Sequence, residues 1–185
     1  MKKIFNSYVD IIFYTICGVL VILSSYLILV NINHYVFIDK EVLVSSSDSD
    51  LEKLKENINK LEEIDNENIK SVIMHLKKDG AYKLLPGDKL SYIDLYNLNL
   101  YFLDTVINEC WVRKLALLDE YNTNYNNEFI DNLIINAKHL DKELLNNSNY
   151  HYNYNNNTID EINEEYHLIL NNYNKFSVFL LEISG

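Results

Sequence analysis

IIFYTICGVLVILSSYLILV, residues 11–30, decides how the rest of the chain is read. It carries no charge, and the uncharged run continues to Ile38. Thirteen of its twenty residues are Leu, Ile, Val or Phe. As a helix rising 1.5 Å per residue it reaches about 30 Å, the thickness of a bilayer's hydrocarbon core. Those thirteen side chains favour insertion by about 4 to 8 kcal/mol, which outweighs Thr15, Ser24 and Ser25. The expectation is one transmembrane helix over 11–30. Tyr8, Tyr14, Tyr26 and Tyr35 cluster near its two ends, where an amphipathic ring anchors at the interface. The apolar run is too long for a cleavable leader and lacks a small-x-small site after it.

Working outward on the N-terminal side, residues 1–10 form a short tail with Lys2 and Lys3. The opposite flank holds Lys40 between Asp39 and Glu41. That bias predicts an integral membrane protein with a cytoplasmic N-terminus and its remainder outside the cytoplasm. On the C-terminal side, residues 31–50 run from apolar to a Ser/Asp cluster and read as a juxtamembrane connector. Asp48 and Asp50 have a calcium-loop spacing, but the Gly and closing Glu of such a loop are absent, so no metal is expected.

Residues 51–185 read as one acidic helical domain. After Val44 there are 13 basic and 24 acidic residues, so this part carries the chain's whole net charge of −11. It repels phosphate backbones, which disfavours nucleic acid as a partner. Four glycines and one proline in 185 residues are too few for many tight turns, whereas long helices need neither. Asn is abundant, with 17 of 27 copies between Asn122 and Asn174, and we read this as compositional bias.

Helical periodicity recurs along the domain. Leu51, Leu54, Ile58 and Leu61 step by three and four, the seam of an amphipathic bundle helix. Ile69, Val72, Ile73 and Leu76 repeat it, closed by Lys77, Lys78 and Gly80 as a left-handed cap. Leu85-Pro86-Gly87-Asp88 is the strongest breaker. Ser91 and Asp94 then offer an N-terminal cap to a helix reaching about Tyr121, apolar nearly all round except for Asp94, Asn97, Asp104 and Asn108. Glu128–Leu145 and a helix capped by Thr158 and Glu161 complete the set, with residues 146–157 between them as an Asn-rich loop. The terminal run Phe176–Ile183 is too short to span a membrane and is expected to pack on the bundle. The fold class is all-α: one transmembrane helix followed by a four- to five-helix bundle-like domain.

Chemistry is sparse. The five histidines are scattered, no Gly-flanked nucleophile occurs, and four isolated glycines build no phosphate loop. Paired carboxylates such as Glu62 with Glu63 and Glu164 with Glu165 fall on polar helix faces. Neither an enzyme nor a cofactor is expected. Trp and Arg are enriched at binding hot spots, so Trp111 and Arg113, with Tyr101, form the candidate contact with a protein partner. The expected function is a membrane-anchored interaction or assembly protein docking on another membrane or envelope protein. The alternatives are a single-pass sensor or small-ligand module, or a lineage-specific subunit of a membrane complex.

Overall fold

A computed structural model describes residues 12–28, 40–111, 128–149 and 158–184, apart from the side chains of Cys110, Trp111, Asn149 and Thr158. The expected all-α class is observed. The chain divides into two compact units, residues 1–39 and 40–185.

In the first unit, helix α1 covers residues 12–28. Every large apolar side chain on it is exposed, from Val19 and Leu23 at 51% to Tyr14 at 73%. The Ser24 hydroxyl donates to the Leu20 carbonyl at 2.8 Å, so it is satisfied within the helix. No helix among the described residues is long and apolar enough to cross a membrane. The transmembrane helix expected over 11–30 is therefore not supported by the described element. Its seventeen residues reach about 26 Å, short of a core about 30 Å thick. Ile11, Leu29 and Val30 lie outside the described residues.

The second unit opens with strand β1 (Val42–Leu43), paired antiparallel to β2 (Lys89–Leu90) with Val42 opposite Leu90. Helices α2 (Ser49–Glu62), α3 (Glu67–Asp79) and α4 (Tyr92–Asp104) follow. A π-helical segment (Thr105–Trp111) continues α4, and α5 (Glu128–Asn149) and α6 (Thr158–Ser184) end the unit. Helix α2 packs along α6 and α4 along α5, with α6 also against α4 and α5.

Each helix buries the stripe its periodicity marks. Leu51, Leu54, Ile58 and Leu61 of α2 and Ile69, Val72, Ile73 and Leu76 of α3 are all buried. On α6 the terminal run contributes Phe176, Phe179, Leu180 and Ile183 to the core, as expected. An aromatic column runs through the middle, with Phe102 4.8 Å from Tyr173 and 6.0 Å from Phe176.

Four features differ from the sequence reading. Val42 and Val44, in the stretch read as connector, are buried in the core, because pairing with β2 carries them under the helices. Gly80 is extended (φ −94°, ψ −167°), not left-handed. Helix α5 runs to Asn149, so the start of the Asn-rich loop is helical. Helix α4 stops at Asp104 and widens into the π-helical segment, where the buried Thr105 hydroxyl donates to the Tyr101 carbonyl at 2.9 Å. Ile93 and Leu100 of α4 are exposed, so its apolar surface is only partly buried.

Candidate functional site

An open cavity of about 330 Å³ lies where the first turn of α5 meets α6. Its floor is apolar: Phe129, Val178 and Phe179. Phe129 and Phe179 stack with centroids 5.4 Å apart, and Phe179 lies 6.4 Å from Phe176, joining the floor to the aromatic column of the core. The rim is polar, with Asn171, Asn174, Lys175 and Glu182. These groups share one face of α6 because residues spaced by three and four turn to the same side. The floor is therefore rigid and greasy while the edge offers amide, cationic and anionic groups. The arrangement suits recognition of an apolar group with polar flanks.

The α6 face is held in register by α2. The Asn57 amide donates to the Ser177 hydroxyl at 3.0 Å, and the Asn174 amide donates to the Asp50 carbonyl at 2.8 Å. The Asn174 side-chain oxygen is buried without a hydrogen-bond partner.

The residues singled out for partner contact fall elsewhere. Tyr101 is half-buried, and its ring stacks on His75 with centroids 5.1 Å apart and planes at 8°. Its hydroxyl donates to the His75 carbonyl. His75 Nε2 sits 3.1 Å from Asp104 Oδ2, and Asp104 also accepts from the Asn108 amide. That amide bond, and then His75, hold the Asp104 carboxyl below its usual range. Tyr101 thus braces α4 against α3. Trp111 belongs to the π-helical segment, with a side chain outside the described residues, and Arg113 lies outside them altogether.

Glu165, read as a solvated carboxylate, is half-buried, and its Oε2 has no hydrogen-bond partner. Burial first, then the charges of Glu143, Glu164 and Glu161, push its carboxyl up to about 7. Nearby, the Tyr92 hydroxyl donates to Glu161 Oε2 at 3.2 Å. Sequence reasoning missed the groove. Phe129 and Phe179 are visible as apolar residues, but their meeting across fifty positions leaves no local signal. No protein-family model matches the chain, and neither a curated protein nor a solved structure is significantly similar to it.

Proposed function

We propose that the chain is a membrane-anchored docking protein, with no catalytic role. In this reading the apolar run around α1 is the anchor, and the acidic helical domain outside the cytoplasm receives a segment of another membrane or envelope protein. The observation that carries it is the presence, each in its own unit, of two apolar surfaces: the exposed side chains of α1 and the apolar lining of the α5–α6 groove. A helix with large apolar groups on every side is stable in lipid or against other helices, and costly in water. The uncharged run of the sequence, residues 11–38, is longer than α1 itself, which supports lipid as its surroundings. The occupant is an apolar segment flanked by basic residues, since the part of the chain after Val44 carries a net charge of −11.

Two measurements test it. Alkaline carbonate leaves the native chain in the membrane pellet, and its release into the supernatant rejects the anchor. A photo-crosslinker at Val178 gives one discrete protein adduct in intact membranes, whereas the same group at the exposed Met74 gives none. Equal labelling from both positions, or none from Val178, rejects the groove as a docking face.

A second reading rests on the size of the groove, which lies at the lower end of the range for small-molecule sites. A single-pass ligand-binding module predicts that a small apolar compound raises the unfolding temperature and that Val178→Trp, which fills the groove, abolishes the shift.

A further inference from the structure

Asp48, Asp50 and His167 converge although 117 positions separate the second from the third. One ligand atom from each lies within 4.8 Å of the other two. Asp50 Oδ2 is 3.6 Å from His167 Nδ1. Two zinc ligands at about 2.1 Å in a tetrahedral shell stand about 3.4 Å apart, so this pair already has nearly the spacing that a shared ion imposes. Asp48 is 9% exposed and caps α2, its Oδ1 accepting from the Asp50 and Leu51 amides at 3.1 and 3.3 Å. Those two bonds fix the carboxylate and leave Oδ2 outside the cap. Lys53 is 3.5 Å from Asp50 Oδ1, the oxygen that does not face His167.

A fourth polar group is buried at the same place. Tyr166, on α6 beside His167, is 1% exposed, and its hydroxyl is buried without a hydrogen-bond partner. Burial first, and then the adjacent Asp48 carboxylate and the charge of Asp50, push this phenol up, which places the hydroxyl beside the two carboxylates. A phenol in the core normally has its hydroxyl well paired, and this one, without a partner at good hydrogen-bond geometry beside two carboxylates, has a place for the water of a bound ion.

We infer that Asp48, Asp50 and His167 bind one divalent cation of zinc type, with the Tyr166 hydroxyl left to meet a water on that ion. Two carboxylate oxygens and one imidazole nitrogen form a mixed donor set that suits a borderline cation. Calcium and magnesium take oxygen ligands, and a soft cation wants thiolate. Three protein ligands leave a position open. The ion would clip the start of α2 to the middle of α6, the helix pair that also holds the Asn174 edge of the groove.

The test uses the full chain in detergent, stripped with a chelator and titrated with Zn²⁺ against a chromophoric competitor, with Co²⁺ absorption as a second readout. The wild type takes up one equivalent and shows a visible Co²⁺ band. His167→Gln and Asp50→Asn, both at accessible positions, weaken binding by at least about 100-fold, more than the loss of an outer-shell partner, and remove the band. Tyr166→Phe keeps the stoichiometry and lowers affinity less. His139→Gln changes nothing. Circular dichroism identical to wild type in His167→Gln separates loss of the ligand from loss of the fold. Failure of the wild type to bind Zn²⁺ saturably, or unchanged affinity and an unchanged band in His167→Gln, overturns the assignment.

Discussion

Gly80 shows how one residue's role depends on its neighbours. Its extended backbone is open to any side chain, so conformational freedom does not select glycine here. Space does: a Cβ would lie 2.9 Å from the Leu76 carbonyl oxygen, 3.0 Å from the Tyr173 hydroxyl and 3.3 Å from the Tyr101 ring. The backbone oxygen cannot retreat without opening the end of α3. Gly80→Ala is expected to lower stability by about 1 to 3 kcal/mol in urea denaturation. Gly87 is the opposite case. At φ +94° it follows Pro86 in a turn closed by the Asp88 amide on the Leu85 carbonyl at 3.0 Å, and open space surrounds it.

Glu165 is a residue whose charge state follows burial. Its carboxyl titrates near 4.5 when unfolded and near 7 when folded, so between those values the folded chain holds the extra proton. Stability from this group is complete below the unfolded value and declines as the pH rises to 7. Glu165→Gln is expected to leave stability unchanged at pH 4.5. At pH 8 it should raise stability by about 1 kcal/mol, a figure reduced for solvent screening of a half-buried carboxyl. Thermal unfolding across that range checks it, and a constant offset at all pH values would contradict it.

Among the elements, the caps were partly legible. Ser91 and Asp94 form the expected capping box, with the Ser91 amide donating to Asp94 Oδ2 at 2.8 Å and the Asp94 amide to the Ser91 hydroxyl at 3.4 Å. Ser91→Ala is expected to cost about 1 kcal/mol, measured as a lower urea midpoint with an unchanged slope. Asn66 caps α3 by the same mechanism, its Oδ1 accepting from Asn68 and Ile69 at 2.9 and 3.1 Å. In a chain with 27 asparagines such a cap does not stand out. The π-helical segment after Asp104 was not legible either, because apolar residues pattern alike in α- and π-turns over seven positions. A widened helix of that length is uncommon and recurs at functional positions, and here it directly follows the His75–Tyr101–Asp104 cluster.

For the molecule as a whole, the boundary of the folded domain is the consequential result. The unit starts at Lys40, and β1 brings Val42 and Val44 into its core at 6% and 2% exposure. Burial of a valine contributes about 1.5 to 2 kcal/mol, so a chain beginning at Ser45, which keeps the Asp48 cap, should be less stable than one beginning at Lys40 by about 3 kcal/mol. Urea denaturation of the two shortened chains measures this, and equal midpoints would show that the strand pair adds nothing. Phe102→Ala, in the middle of the aromatic column, is expected to cost about 3 to 5 kcal/mol in the same experiment.

The sequence by itself determined the all-α class, the core-facing stripes of α2, α3 and α6, the Ser91 cap and the packing of the terminal run. The stripes and the cap rest on spacing within a dozen residues, where helical geometry alone assigns a side chain to a face, and the class and the terminal run rest on composition and length. Only the tertiary structure decided that Val42 pairs opposite Leu90, that Gly80 is needed for space, that Phe129 stacks on Phe179, and that Asp50 lies beside His167. Those contacts join positions dozens of residues apart, and which pairs meet depends on how whole helices pack, a choice that no local pattern encodes.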